Sequence, residues 1–501
     1  MKKLSRYMVG ALIGAVTLTG CEKNFLDVNN NPNQTISATP QLVLSGALNR
    51  TTSNLTLNFN QLGNLWAGYW APPTDFLYYV NEKQYNVTSS FNVGSWETTY
   101  DILNDYQELE RVSAEANLPV YVGIAKIMKA HGFQHLVDAY NNVPFSEALQ
   151  ATAVIRPKYE AGQTVYEGSL ALIDAGMEAI KSAGASGVKP GSDDIFFGGN
   201  TTKWLKFANT LKLRMLIRQS EIPGRQAYIT AEMAKIAAEG SGFIGAGESV
   251  LSNPGYINSS GKLNPFWERY YANAAGSLTD YYRATRPTVF VINKYQTNAD
   301  PRLTRMYSPV AGAYKGVELG RNSGDADAIN YKANVTSPLL PGGGVLKSGT
   351  QPTVILSSSE SLFLQAEAVQ RGWLTGDAQA LYNSGVAESF VFLGVPNASA
   401  AAATYVAQPN QNVNFAVSAN KIEAIVFQKW LSLNSISGWE AWNDFRRTGY
   451  PADNPLSVDA ITPQHPVRLF YPNSELGTNG EEVAKQGALN PFESRVFWDV
   501  N

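Results

Sequence analysis

Apolar residues recur with a helical period in several stretches of the chain. Tyr121, Ile124, Ala125, Met128, His131, His135 and Leu136 fall on one face of a helix. So do Trp204, Phe207, Ala208, Leu211 and Met215, with Lys203, Lys206 and Arg214 largely elsewhere on the cylinder. Leu362, Ala366 and Val369 repeat the pattern, and Gly372 is placed to cap that helix. Asp377 can start the next one, through Leu381 towards Phe390. Ile422, Ile425, Val426, Trp430 and Leu433 form the last clear stripe.

Paired helices with short connections predict a mainly α fold of stacked helix hairpins, like tetratricopeptide repeats. No internal repeat holds a fixed period, so the repeats are degenerate. The pattern breaks down between about 220 and 355, where Gly, Pro, Asn and Tyr dominate. Gly240-Ser241-Gly242, Asn253-Pro254-Gly255 and Pro341-Gly342-Gly343-Gly344 are examples. Long irregular segments on a rigid framework are where binding function usually sits. The expectation is a helical scaffold over roughly 100–220 and 355–450, carrying a loop-rich binding region over roughly 50–100 and 220–355.

The N-terminus changes this picture by adding an address. Lys2, Lys3 and Arg6 precede an apolar stretch, residues 8–18, that is too short to span about 30 Å of hydrocarbon. It ends in Leu18-Thr19-Gly20-Cys21, the pattern of a bacterial lipobox. Residues 1–20 therefore read as a lipoprotein signal peptide, with the Cys21 thiol carrying the lipid. Residues 21–40, rich in Asn (Asn29, Asn30, Asn31, Asn33), read as a tether, and 41–501 as the folded part. Cys21 is the only cysteine, so no internal disulfide can form. No later segment reaches about 18 consecutive apolar residues, leaving the lipid as the membrane contact. One such anchor holds weakly, and stable retention calls for further chains or a membrane partner. A net charge of −3 with 16% charged residues and no basic run argues against nucleic acid as a ligand.

Little in the sequence offers catalysis. His131 and His135 stand four apart, but the segment lacks the Glu of H-E-x-x-H and reads as two core or surface histidines. No G-x-S-x-G elbow appears, and the glycine run at Gly342 lacks the Gly-Lys-Ser/Thr of a phosphate loop. Asp193-Asp194 and Glu481-Glu482 are adjacent carboxylates, more often solvated or capping than paired across a substrate. Neither a metal nor any other cofactor is expected. A binder of neutral sugars, by contrast, needs flat apolar faces plus a few fixed polar groups, which Trp and Tyr supply. Two segments offer them outside the clean stripes: Trp66 to Tyr79, and Asn264 to Tyr271 continuing to Tyr281, Tyr282 and Arg283. The expected platforms are Trp70, Tyr78, Tyr79, Trp267, Tyr270 and Tyr271, with Asn81, Arg269 and Arg283 as polar partners. The competing role for any one of these rings is packing of the loops onto the scaffold.

Several blocks, in order along the chain, resemble the SusD/RagB family. They are DVNNNPN at 27–33, AKIMKAHGFQHLVDAYNNVPFSEALQ at 125–150, and DIFFGGNTTKWLKFANTLKLRMLIR at 194–218. DPRL at 300–303, ESLFLQAEAVQRG at 360–372, and QKWLSLNSISGWEAWNDFRRTGYP at 428–451 follow. PVRLFYPNSE and the closing Val496-Phe497-Trp498-Asp499 complete the series. Asn141-Asn142 departs from the family's Gly-Asp at that turn. The resemblance implies four tetratricopeptide-like helix pairs with an irregular ligand-binding side. It also implies a lipid-anchored place on the outer face of an outer membrane, and a SusC-like TonB-dependent transporter as partner. In that arrangement the resemblance implies a hinged lid that captures oligosaccharide, or in some relatives peptide, without catalysis. A lipoprotein glycoside hydrolase is the rival of another class. Trp204, Trp430 and Trp442 are expected in the core, and Arg446-Arg447 at a helix end beside the C-terminal carbonyls.

Overall fold

The computed structural model describes residues 38–185 and 187–501. Residues 1–37, which hold the expected signal peptide, Cys21 and most of the expected tether, lie outside the described residues. The chain enters through α1 (Pro40–Asn54), passes a π-helical turn (Leu55–Phe59), and continues as α2 (Asn60–Trp66). Long helices follow: α3 (Gly94–Glu115), α4 (Pro119–Tyr140), α5 (Gly162–Ser182), α6 (Thr201–Arg218) and α7 (Gln226–Glu239). An irregular stretch then carries the short helices α8 (Pro265–Tyr270), α9 (Asp280–Ala284) and α10 (Val289–Thr297). The second helical group is α11 (Ser358–Gln370), α12 (Ala378–Leu393), α13 (Ala398–Val406), α14 (Lys421–Leu433) and α15 (Gly438–Thr448). Helices adjacent in sequence pack as α3–α4, α5–α6, α11–α12 and α14–α15, and α6 packs on α11 to join the groups.

Among the described residues, six short strands form three antiparallel pairs: β1 (Trp70–Ala71) with β5 (Arg286–Pro287), β2 (Val143–Pro144) with β3 (Tyr159–Glu160), and β4 (Val250–Ser252) with β6 (Thr353–Leu356). Among the described residues no helix is long and apolar enough to cross a membrane.

Local chemistry sets the helix ends. The side chains of Asn200, Ser357, Asp377 and Asn420 each accept a backbone N–H at the start of α6, α11, α12 and α14. Gly372 follows α11 at φ +77°, where a side chain would be strained. The helical region starts earlier than the hydrophobic pattern suggests, because residues 40–66 are helical and the first irregular stretch begins at Ala67. α4 also differs from a one-sided stripe. It is buried around almost its whole circumference, with α3, α5 and α6 against it.

Two backbone contacts fix how closely helices approach. A Cβ on Gly63 would fall 2.1 Å from the Trp439 nitrogen, so α2 and α15 touch backbone to backbone. Gly123 and Gly176 play the same part between α4 and α5.

Charged side chains tie the helical groups together inside the core. Arg214 of α6 lies 2.7 Å from Glu360 of α11 and 3.7 Å from Glu440 of α15. Arg218 pairs with the same Glu440. Arg447 of α15 holds Glu367 of α11 at 2.6 Å and Asp444 at 3.1 Å, while Lys429 of α14 reaches Asp444 at 2.9 Å. All eight groups are buried. Arg446 and Arg447 thus do not serve the end of their helix. Arg446 lies over the Trp442 ring at 3.7 Å and donates to the carbonyls of Val467 and Asp138. Arg214, expected off the apolar face, is buried because Glu360 and Glu440 meet it there.

Two outcomes test this core. Burial pushes the Glu440 carboxyl up, but Arg214 and Arg218 outweigh it and hold it at about 2. A lowered folded value means that its contribution is present above the ordinary carboxylate range and is lost as pH falls through about 2. Glu440→Gln should destabilise by about 3–5 kcal/mol at neutral pH and flatten the acid limb of stability below about pH 4.5. Chemical denaturation across pH reads both, and an unchanged acid slope would count against the pairing. Gly63→Ala should cost roughly 1–3 kcal/mol by overpacking, seen as a lowered thermal midpoint.

Candidate ligand-binding surface

The β1–β5 pairing brings the two aromatic segments together. Trp70 stands opposite Pro287 and Ala71 opposite Arg286. Thr288, one residue past β5, donates its hydroxyl to the Gly68 carbonyl at 2.5 Å and its N–H to the Tyr69 carbonyl at 2.9 Å. The segment after residue 71 and the segment before residue 286 therefore leave this junction side by side. α8 begins where Asn264 accepts the Trp267 N–H at 3.0 Å and Pro265 takes the first helical position. Its period then sorts the aromatic side chains. Phe266 and Tyr270 point into the core, while Trp267 and Tyr271 pack edge to face at 4.5 Å, half-buried.

Three of the six expected platforms are structural. Trp70 is 0% exposed, packs 4.9 Å from Tyr270, and donates its indole N–H to Ser435 Oγ at 2.9 Å. Tyr270 is also 0% exposed and donates to Gln61 Oε1 at 3.1 Å. Tyr79 is 6% exposed, with its hydroxyl 2.9 Å from that of Thr285. A ring walled in on both faces has none to offer a solute, so these three support the surface without forming it. Burial raises the phenol pKa of both Tyr79 and Tyr270, so each stays neutral.

The remaining residues stand on the surface in two groups. Tyr78 meets Tyr281 edge to face at 5.1 Å, with Phe76 at 6.4 Å from Tyr78. Arg269 spreads its guanidinium over the Tyr281 ring at 3.9 Å and donates to Gln61 Oε1 at 3.3 Å. The second group is Trp267 with Tyr271, whose ring also meets Tyr282 at 5.1 Å. Asn81 is exposed and accepts from Asn86 Nδ2 at 3.1 Å. Arg283 is exposed and paired with exposed Asp280, so it is the loosest of the expected polar partners.

Beside Arg269 opens a cavity of about 490 Å³, lined by Asn49 and Ser53 of α1, Tyr256 and Lys262 of the preceding loop, and Glu268. Arg269 borders this cavity and also covers Tyr281, so one side chain joins the groove to the aromatic patch. Residues the sequence reading did not select are Tyr281, Gln61 and Glu82. Gln61 holds both Arg269 and Tyr270 from α2. Burial raises the Glu82 carboxyl, against a hydrogen bond from Gln61. Tyr281 sits two residues past the Thr279 that caps α9, a signal that could have set it apart.

His131, His135 and the Asp193-Asp194 pair serve the fold, whereas Glu481 is exposed. His131 and His135 are buried with ring centroids 4.5 Å apart, and His135 Nδ1 lies 2.9 Å from the His131 carbonyl. Asp194 is buried and accepts from the N–H groups of Phe196, Phe197 and Gly199 and from the Trp204 indole. Asp193 accepts from the Tyr121 hydroxyl at 2.8 Å. Among the described residues no group of three or more His, Cys, Asp or Glu is arranged to hold a metal ion.

No curated protein sequence matches the chain. Solved structures share its fold. A SusD homologue from Bacteroides fragilis superposes with a TM-score of 0.76 at 21% identity, covering 93% of this chain and 100% of that one. A SusD homologue from Bacteroides thetaiotaomicron gives 0.73 at 21% identity, covering 93% and 100%. A chitin-binding SusD homologue from Flavobacterium johnsoniae gives 0.74 at 22% identity, covering 91% and 99%. A family profile described as starch-binding, associating with outer membrane, matches residues 32–472. With that match running from before α1 to beyond α15, the chain belongs to the SusD-like family of nutrient-binding proteins.

Proposed function

We propose that the protein captures a neutral oligosaccharide on the surface formed by Phe76, Tyr78, Tyr281 and Arg269, and passes it to a SusC-like TonB-dependent transporter without breaking a bond. The observation that carries this reading is the half-exposed Tyr78–Tyr281 pair with Arg269 fixed over it and a groove alongside. A sugar ring offers C–H faces to aromatic planes and hydroxyls to fixed donors, and this surface supplies both. Trp267, Tyr271 and Asn81 extend the contact area, while Arg283 stands at its rim. The family description of starch-binding, and the chitin-binding relative, support a carbohydrate over a peptide. Anchoring on the extracellular face of the outer membrane through a lipid on Cys21 completes the reading. It would keep the captured chain beside the barrel.

Calorimetric titration of the full chain with maltohexaose, chitohexaose and a peptide library tests the site. Binding of an oligosaccharide is expected, and Tyr281→Ala or Arg269→Ala should weaken it about tenfold or more, an aromatic or cation–π contact being worth about 1 kcal/mol beyond its buried area. Tyr270→Phe should leave it within about twofold, since that ring faces inward. Release of new reducing ends, or tight binding of peptides alone, would defeat the proposal. Cys21→Ser should move the protein from the membrane fraction to the soluble one and end its co-purification with a β-barrel, which fractionation and pull-down would show.

A further inference from the structure

A second cavity, of about 590 Å³, lies apart from this surface, between α10, the loop before α14, and the turn after α15. Its lining follows from the period of α10, whose Phe290, Asn293, Lys294 and Thr297 recur at helical spacing on one face. Phe427 of α14 and Tyr450 of the turn add two more rings.

The apolar lining is rigid. Phe427 stacks on the buried Trp430 at 6.2 Å and 16°, and Phe290 meets the same indole edge to face at 5.4 Å. Neither ring can swing aside without opening that cluster, so the cavity is formed before any ligand arrives.

Its charges are spent internally. Lys294 pairs with Asp453 at 2.6 Å, and Glu423 accepts from Asn412 Nδ2 at 2.8 Å. Tyr450 is held through its hydroxyl by Asn420 Nδ2 at 3.0 Å. The exposed side chains of Asn293 and Thr297, by contrast, make no hydrogen bond to any described residue. Asn298 uses its amide N–H but leaves its oxygen open. The cavity therefore presents aromatic planes, an amide, a hydroxyl and an amide oxygen, with no unpaired cation among its lining residues to attract an anion.

We infer that this cavity is a second carbohydrate site, taking an uncharged pyranose unit against the half-buried rings of Phe290 and Tyr450, with its hydroxyls on Asn293, Thr297 and Asn298. Free amide and hydroxyl groups around an apolar floor match a neutral polyol. With Lys294 neutralised by Asp453, the site offers nothing to a uronate that it does not offer to a neutral sugar. It leaves the uronate facing Glu423 and Asp453. The inference stands apart from the function proposed above, because the two surfaces share no lining residue.

Hydrogen exchange of the full chain, read by mass spectrometry, separates the two sites. The probes are maltohexaose, chitohexaose, xylohexaose and cellohexaose at millimolar concentration, with oligogalacturonate as the charged comparison. At least one neutral probe should protect residues 290–298 and 410–414, and oligogalacturonate should not. The double variant Asn293→Ala with Thr297→Ala removes only exposed groups. It should weaken that protection about tenfold or more, two hydrogen bonds of about 1 kcal/mol each being lost, and leave protection around Tyr78 and Tyr281 unchanged. Tyr281→Ala should do the reverse. No protection of 290–298 by any neutral probe would overturn the inference, as would equal protection by oligogalacturonate or an unchanged response of the double variant. Failure at Tyr281 with success at Asn293 would sink the proposed function alone.

Discussion

The fold depends on a set of buried ion pairs that clamps its two helical groups. Arg214 and Arg218 leave α6 for acids on α11 and α15, while Arg447 and Lys429 meet Glu367 and Asp444 across α11, α14 and α15. Removing charges from water is costly, and only several partners in good geometry offset it. Here Glu440 accepts from Arg218, is approached by Arg214, and is held far below the ordinary carboxylate range although burial alone would raise it. Glu360 moves the other way. Its burial outweighs Arg214, and the nearby Glu440 adds repulsion. The two acids share one arginine and are not equally served by it. Such pairs contribute less to net stability than to uniqueness, because any slip of α6 against α15 would strand a charge in an apolar interior.

That clamp reaches the ligand surface through the α14–α15 connection. Asn434 accepts from the Tyr307 hydroxyl, and its amide donates to Tyr295 and Tyr307. Ser435 accepts the Trp70 indole N–H, and its own N–H donates to Asn64 at 2.8 Å. Asn60 accepts from the Gly438 N–H at 2.8 Å. β1, α2 and the start of α15 are thus bound to one short turn, itself held between two helices of the clamp. The Trp70 ring transmits that position to Tyr270, and α8 carries it to Arg269 and Trp267. A surface proposed to hold a flexible sugar chain gains from this, since ordering of loops on binding would subtract from affinity.

The scaffold was legible where short-range chemistry decides the structure. Asp377 caps α12 and Gly372 ends α11, both as read from sequence, and the stripe through Ile425, Val426 and Trp430 is core. The helix over residues 40–66 was not legible, because it is written in Thr and Asn. Thr51, Thr52 and Thr56 turn their hydroxyls onto carbonyls four residues back, and Asn64 does so with its amide, so polar side chains are buried in a helix with these donors satisfied. The ion pairs were beyond reach for another reason. Arg214 and Glu360 lie 146 residues apart, and no local pattern joins them. At the site, ring identity was readable but ring direction was not. Tyr78 and Tyr79 alternate out and in, while Trp267 and Tyr270 separate by helical rotation. The Asn264-Pro265 pair that starts α8 was the signal that could have sorted the second segment.

The two carbohydrate surfaces proposed here are set by a single stretch of chain. β5 fixes the segment carrying Tyr281, and one residue later Thr288 caps α10, accepting the Val291 N–H while donating to Gly68. Phe290 and Asn293 follow within the next turn. Both surfaces therefore hang from the same hydrogen-bonded junction, itself packed against Trp70 and Tyr69. Tyr69 in turn donates to the Trp430 carbonyl at 2.5 Å, and Trp430 backs the rings of the second cavity. Because this junction is buried and held by hydrogen bonds from Thr288 to Gly68 and Tyr69, occupancy of one surface has no loose element there through which to reshape the other. A long glycan touching both would gain by tethering, its second contact made at the high local concentration that the first provides, with no conformational signal required between them.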